Sequence, residues 1–112
     1  MRAGKMKRRI TFQVSEERRG ELGEVIREWR DLTTVWAEIR EISGRERMTF
    51  GTVYSEATVR IWTRYRADIT TANRILYRLP NVRGQVFSLL AVIPDADHSR
   101  LELICKGGIS NG

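Results

Sequence analysis

Alternating apolar and polar residues mark several stretches of this chain as β-strands. Side chains along a strand point to opposite faces in turn, so alternation gives one apolar face for a core and one polar face. The predicted strands are residues 8–14, 33–41, 56–65, 74–78, 86–93 and 100–106. Short strands separated by turn signals favour a closed sheet, because closure removes free edges. We therefore predict a mainly β fold, a small antiparallel β-barrel of about six strands with one inserted α-helix.

The third and fifth of these strands carry the clearest pattern. Residues 57, 59, 61, 63 and 65 form one face of the third strand, and residues 58, 60, 62 and 64 form the other. The segment 86–93 is apolar almost throughout, which predicts a strand that is buried on both faces.

One helix is predicted between the second and third strands, over residues 43–55. Ser43 and Glu46 have the Ser-x-x-Glu spacing of a capping box, in which each side chain accepts a backbone N–H of the other residue. Gly51 in the interior costs about 1 kcal/mol relative to Ala. So short a helix needs packing against the barrel or a neighbouring subunit to stay folded.

The segment between the first two strands has a weaker pattern. Residues 15–20 are polar and typical of a loop, whereas apolar residues over 21–32 occur near helical spacing. Gly23 and the β-branched run at 33–35 argue against extending such a helix. We predict a long mobile loop over 15–28, with a helix over 21–32 as the alternative.

Length and composition indicate a single domain spanning residues 1–112, with a flexible basic arm at 1–7 and a flexible tail at 107–112. Hydrophobic residues make up 41% and charged residues 30% of the chain, which argues against a disordered or membrane-spanning class. No apolar segment follows the basic start, so neither a signal peptide nor a membrane partner is expected.

The net charge of +6 favours an anionic environment such as nucleic acid or an acidic partner. The charge is uneven along the chain. Residues 1–9 contain five cations and no acid, whereas residues 15–31 contain six acids. This asymmetry suits head-to-tail contact between copies, although a solvated surface would show it equally.

Few residues suggest catalysis. His98 lies with Asp95 and Asp97 in a turn, where a surface turn is favoured over a metal site. Cys105 is the single cysteine, and a buried thiol is favoured over a Cys–His pair. The sequence contains no phosphate-binding loop and no zinc spacing. We expect neither enzymatic activity nor a cofactor.

Nucleic-acid binding is the alternative function. Arg60, Trp62 and Arg64 share the polar face of one strand, where cations around an aromatic ring could form a stacking platform. The favoured interpretation is that Trp62 is covered by the helix or by a neighbouring subunit. Trp36 also lies on the polar face of its strand, so both faces of the sheet are expected to be covered.

Short motifs that occur in order along nearly the whole chain resemble the bacteriophage head–tail joining protein family, the head-completion or stopper proteins of tailed phages and prophages. The motifs are residues 1–4, 8–13, Trp29, 35–39, 43–46, 64–66 with Ile69, 74–77, 91–95 and 101–105. Residues 79–84 depart from the family's tighter turn with a Gly-Arg or Gly-Lys centre.

The resemblance implies a structural connector subunit with a small β-barrel and an inserted helix. Family members form a ring below the portal, close the DNA exit channel and provide the tail-docking surface. The implied partners are a portal or adaptor ring protein and a tail-completion protein, with non-specific proximity to packaged DNA. The implied location is the head–tail interface of the virion, after assembly in the cytoplasm of the bacterial host.

Contacts with these partners or with the DNA channel are predicted at the basic arm, the loop over 15–28, the helix segment and the third strand. The predicted contact residues are Arg2, Lys5, Lys7, Arg8, Arg9, Ser43, Arg45, Glu46, Arg60, Trp62 and Arg64. A homo-oligomeric ring is expected in the virion, and a monomer in isolation is compatible with it.

Overall fold

A computed structural model describes residues 5–51, 54–78 and 84–110 of the chain. Six strands in that part close into an antiparallel barrel with the order β1-β2-β3-β6-β5-β4. The elements are β1 (Arg8–Arg19), β2 (Val25–Glu41), α1 (Gly44–Phe50), β3 (Val59–Arg64), β4 (Arg74–Tyr77), β5 (Gln85–Pro94) and β6 (Arg100–Ser110). The predicted fold class, a small antiparallel β-barrel with one inserted helix, is confirmed.

The core fills the barrel with the apolar face of each strand. Its largest fully buried side chains include Ile10, Phe12, Ile61, Ile75, Leu101 and Leu103. Burial of each such side chain contributes about 1.5–3 kcal/mol of transfer free energy, which makes this cluster the main source of stability. These positions agree with the alternation predicted for β1, β3 and β6.

A second, smaller apolar cluster lies outside the barrel. Its buried members are Ile42, Ala57, Ala91 and Ile104, and Phe50, Tyr54 and Leu90 pack against it. Phe50 on α1 meets the Tyr54 ring edge-on, with centroids 5.9 Å apart. This packing covers only part of β5, because Ser88 and Ile93 on the same strand are exposed. The prediction that β5 is buried on both faces is therefore wrong at Ser88 and near the end of the strand, at Ile93.

The segment 15–28 is a β-ribbon, so both the predicted loop and the alternative helix over 21–32 are wrong. β1 continues to Arg19, β2 begins at Val25, and the two strands remain paired along this length. β4 pairs with β1 only over Thr11–Gln13. Beyond Gln13, β1 and β2 therefore leave the barrel together as a two-stranded ribbon. Charged side chains on its exposed faces replace the apolar alternation that would have identified it as a strand.

The boundaries of three other predicted elements also differ. Helix α1 has seven residues and stops at Gly51, whose φ of 69° ends the helix before residue 55. β3 begins at Val59 and not at residue 56. β6 runs to Ser110, where it still pairs with β5, so the predicted flexible tail over 107–112 is wrong for residues 107–110; Gly107, with φ 136°, lies beside an irregularity in this pairing.

Some predictions fall on residues outside the described ranges. These are Arg2, most of the departing turn at 79–84, and the last two residues of the predicted tail. Within the described ranges, no helix is long and apolar enough to cross a membrane.

Candidate partner-contact surface

The outer faces of β2 and β3 contain two tryptophans in different environments. Trp62 is 9% exposed, whereas Trp36 is 53% exposed. Alternation places both side chains on the outside of the barrel, as predicted. What differs is the cover that neighbouring side chains give to each ring.

Arginine side chains cover Trp62. The guanidinium carbons of Arg60 and Arg40 lie 5.0 and 5.5 Å from its ring centroid, within the range of cation–π attraction. Arg60 Nε also donates to Glu102 Oε2 at 2.7 Å. A buried ring and a neutralised arginine do not form an open stacking platform, so the structure supports the interpretation in which Trp62 is covered.

Glu46 attaches helix α1 to this cluster. Its carboxylate accepts hydrogen bonds from Arg40 Nη1 at 2.8 Å and Arg60 Nη1 at 3.1 Å. The predicted capping box is also present, since Ser43 Oγ accepts the Glu46 N–H and Glu46 Oε1 accepts the Ser43 N–H. The hydrogen bond from Arg40, followed by that from Ser43, lowers the pKa of Glu46 to about 2. Ser43 and Glu46 thus hold the helix in place.

Trp36 lies in an open cleft with a basic rim. Its partner across the β1–β2 pair is Arg9, whose guanidinium carbon is 4.9 Å from the ring centroid. Met6, Lys7, Trp36 and Arg64 line a cleft of about 440 Å³. The cleft therefore combines an exposed aromatic floor with cationic walls.

The predicted basic arm contributes to the same side of the molecule. Lys5, Lys7 and Arg8 line a neighbouring cleft with Glu38 and Ile39. Within the described part of the chain, Lys5, Lys7, Arg8, Arg9 and Arg64 form no ion pair with a carboxylate. Their charges are exposed to solvent and open to an anionic partner.

The ribbon formed by residues 14–30 projects from the other end of β1 and β2. Ion pairs cross it on exposed faces, at 2.8 Å for Arg18–Glu28, 3.1 Å for Arg27–Glu17 and 2.6 Å for Arg30–Glu16. These pairs neutralise much of the acidic charge that the sequence shows at 15–31. Charged side chains along free strand edges also discourage indiscriminate pairing with other chains.

The base of the ribbon is fixed by a polar network. Gln13 is buried at a bulge in β1, its Nε2 donates to Asp31 Oδ1 at 2.8 Å, and its Oε1 accepts Arg74 Nε at 2.7 Å. The guanidinium carbon of Arg74 lies 4.3 Å from the Trp29 ring centroid. Burial lowers the pKa of Arg74. These contacts set the direction in which the ribbon leaves the barrel.

The tip of the ribbon presents an apolar side chain between acids. Leu22 is 95% exposed, and Val25 beside it is also exposed. Glu21 and Glu24 form no ion pair within the described residues. The tip thus holds two carboxylates that form no ion pair in the described part of the chain, beside the Arg19 guanidinium, whose Nη1 donates to Gly23 O at 2.9 Å.

The turn at residues 95–99 is stabilised by its own side chains. Asp95 accepts hydrogen bonds from Ser99 N at 2.9 Å, Ser99 Oγ at 2.8 Å and Arg100 N at 3.1 Å. His98 has a φ of 56° and meets Tyr65 edge-on.

Cys105 is buried in the barrel, and burial raises the pKa of its thiol to about 12. These contacts agree with a surface turn and a buried thiol.

The structure therefore divides the predicted contact residues within the described ranges into two groups and one separate residue, Arg45. Ser43, Glu46, Arg60 and Trp62 belong to the interface between helix and barrel. Lys5, Lys7, Arg8, Arg9 and Arg64 lie around the Trp36 cleft, while Arg45 is exposed on α1. Leu22 lies within the segment 15–28 that was predicted as a contact region, and Trp36 was predicted to lie on a face that needs a cover; neither was singled out as a contact residue. Trp36 carried a usable signal, because it lies opposite Val35, Ala37 and Ile39.

Comparison with known proteins identifies the family. The model of the phage head completion protein family matches residues 1–108. The chain belongs to the phage head completion protein family. This confirms the predicted resemblance, and a phage head completion protein is a structural component of the virion.

Two relatives of this head completion protein are similar over nearly the full length. Head completion protein gp7 of Enterobacteria phage HK97 is 29% identical over 109 residues, which cover 96% of this chain and 97% of that protein. The solution structure of protein SF1141 from Shigella flexneri 2a has a TM-score of 0.81 at 36% identity, covering 96% and 97% of the two chains.

A more distant likeness concerns the fold alone. A chain in the virion of the native gene transfer agent particle has a TM-score of 0.56 at 19% identity, with 93% of this chain and 96% of that chain covered. A similar fold is thus found in a chain with a very different sequence.

Proposed function

We propose that this head completion protein forms a homo-oligomeric ring below the portal, closes the DNA exit channel and provides the surface to which the tail docks. Its partners are then a portal or adaptor ring protein on the head side and a tail-completion protein on the other. The protein acts by assembly at the head–tail interface and not by catalysis.

The observation that carries this proposal is the presence of two unlike exposed surfaces on one barrel. The Trp36 cleft is aromatic and basic, while the ribbon tip is apolar and acidic. A ring of identical subunits needs two different surfaces on each copy, because every interface joins one to the other. Family membership supplies the virion context in which such a ring would form.

Charge supports a position close to packaged DNA. The net charge is +6, and the cations around the Trp36 cleft have no carboxylate partner within the described ranges. Unpaired cations attract phosphates without reading bases, an attraction that weakens steeply with salt. The covered Trp62 argues against the stacking platform predicted from Arg60, Trp62 and Arg64, since base stacking needs an open aromatic face.

Deletion of the gene from its phage, followed by electron microscopy of the particles, tests the proposal. We expect heads that package DNA but lose it and carry no tails, with infectivity restored when the wild-type chain is supplied in trans. Filled, tailed and infectious particles from the deletion strain would contradict it. Binding of the purified chain to purified portal or adaptor rings, followed by sedimentation, gives an independent measurement.

A further inference from the structure

We propose that the ribbon tip of one copy docks in the Trp36 cleft of the next copy, with Leu22 against the Trp36 ring. Glu21 and Glu24 then face the cationic rim of the cleft. This inference rests on the proposed ring and names the surfaces that join neighbouring subunits in it.

The tip has the features of an inserted anchor. Leu22 is 95% exposed at the end of a narrow ribbon, and Val25 beside it is also exposed, so the tip presents two apolar side chains together. Glu21 and Glu24 flank Leu22, and both are exposed. An apolar side chain with an acidic residue on either side fits an apolar floor with a basic rim.

The cleft has the complementary features. Trp36 and Met6 provide apolar surface, and Lys7 and Arg64 complete the lining. Arg9 lies over the Trp36 ring and adds a third cation. Insertion of a leucine would remove the exposed half of the indole from water and bring carboxylates to cations that have no carboxylate partner in the described part of the monomer.

The two surfaces cannot meet within one chain. Arg9 pairs with Trp36 near one end of the β1–β2 pair, and Arg19 pairs with Val25 at the other. At a rise of about 3.3 Å per residue, some ten residues of strand separate tip and cleft by roughly 30 Å. The Gln13 network fixes the base of the ribbon and opposes its folding back.

Docking is therefore between copies and uses different surfaces on the two partners. Such a heterologous contact repeats from one copy to the next and produces a ring when its rotation closes. The inferred interface provides the head-to-tail geometry that the ring requires.

Crosslinking in assembled particles tests this contact directly. A Val25→Cys/Met6→Cys variant places one thiol at the tip and one at the cleft, and leaves Leu22 and Trp36 intact. Cys105 is buried and does not compete for a short bismaleimide crosslinker. We expect denaturing gels to show a ladder of covalent oligomers. The matched control is Val25→Cys/Ser88→Cys, whose second thiol lies on an exposed part of β5, and it should yield monomer.

A charge exchange provides a second measurement that does not depend on introduced thiols. Glu21→Lys/Glu24→Lys should reduce the amount of the chain in particles several-fold, as should Lys7→Glu/Arg64→Glu. The variant that carries all four substitutions should recover much of the lost incorporation into particles, because the charges of the tip and of the cleft are then reversed together. No restoration would overturn the inferred contact.

The outcomes separate this inference from the proposed function. One outcome is that the chain is present in tailed, infectious particles but remains monomeric after crosslinking. Another is that the Met6→Cys site links only to another virion protein. In either case the ribbon-to-cleft contact is wrong and the proposed function stands. If the chain is absent from particles and its deletion leaves them infectious, both are wrong.

Discussion

Arg60 on β3 donates a hydrogen bond to Glu46 on α1, with 3.1 Å between Arg60 Nη1 and Glu46 Oε2. The same carboxylate closes the capping box with Ser43, so helix capping and helix attachment depend on one side chain. A seven-residue helix is marginal alone. Its position therefore follows from this contact and from the packing of Phe50 on the outer apolar cluster.

Glu46→Gln should reduce the dependence of the free energy of unfolding on pH in the acid range. The folded-state pKa of Glu46 is lowered from 4.5 to about 2, chiefly by its hydrogen bond from Arg40. The stability that the charge contributes is complete above pH 4.5 and is lost as the pH falls towards 2. Wild type should therefore lose more stability than Glu46→Gln across this window, as measured by urea unfolding at a series of pH values.

The control for this prediction is Glu21→Gln at the ribbon tip, which should retain the wild-type slope. Asp95→Asn should weaken the loss of stability at acid pH in the same way as Glu46→Gln. Hydrogen bonds from the Arg100 and Ser99 N–H groups and the Ser99 hydroxyl lower the pKa of Asp95 to about 2. Parallel profiles for wild type and Glu46→Gln between pH 4.5 and 2 would show that the helix contact does not contribute as described.

Gln13→Ala should destabilise the protein by about 1–3 kcal/mol, because it removes the hydrogen bonds of a buried amide and leaves the partly buried Arg74 Nε without its acceptor. Gln13 is the side-chain partner of both Arg74 Nε and Asp31 Oδ1. Gln85→Ala is the matched control, since Gln85 makes no side-chain hydrogen bond within the described ranges and should change stability little. Urea unfolding measures both, and equal losses would contradict the role given to the network.

Gly107→Ala should lower the stability of the protein, whereas Gly44→Ala should leave it unchanged or raise it. At Gly107 a Cβ would collide with the Val86 carbonyl oxygen, and φ is 136°, so alanine should cost about 1–3 kcal/mol. At Gly44 no heavy atom lies within 4 Å of the Cβ position, and alanine favours the helix. Thermal unfolding should therefore show a lower midpoint for the first variant and an unchanged or higher one for the second. The reverse order would contradict the β6 conformation.

The barrel could be predicted from the sequence because its strands have one face in a core and one in solvent. Ile61 and Leu103 are recognisable for this reason. The ribbon could not be predicted in the same way. Both of its faces are exposed, and its register depends on ion pairs such as Arg18–Glu28 that form between distant positions. Alternation therefore contains no signal there, and polar residues resemble a loop.

The candidate contact surface, like the fold, could be predicted only in part. Periodicity placed Trp36 and Trp62 outside the barrel, and the spacing of Ser43 and Glu46 correctly identified the cap. Which tryptophan is covered depends on the reach of Arg40 and Arg60 and on where the helix docks. Those are tertiary relationships, and a single sequence does not encode them in any local pattern.

Cys105 should resist thiol reagents until the barrel opens. Burial raises the pKa of its thiol to about 12, and the thiolate is the reactive form, so labelling at neutral pH requires unfolding. Iodoacetamide should leave the native protein unmodified in mass spectrometry and label it fully in concentrated urea, whereas an introduced Ser88→Cys should be labelled at once. Gly107→Ala lowers the free energy of unfolding and so raises the fraction of molecules whose barrel is open. Cys105 in this variant should therefore be labelled faster, by the factor that corresponds to the lost free energy of unfolding. Equal labelling rates in Gly107→Ala and wild type, despite different stabilities, would show that reagent reaches Cys105 without barrel opening.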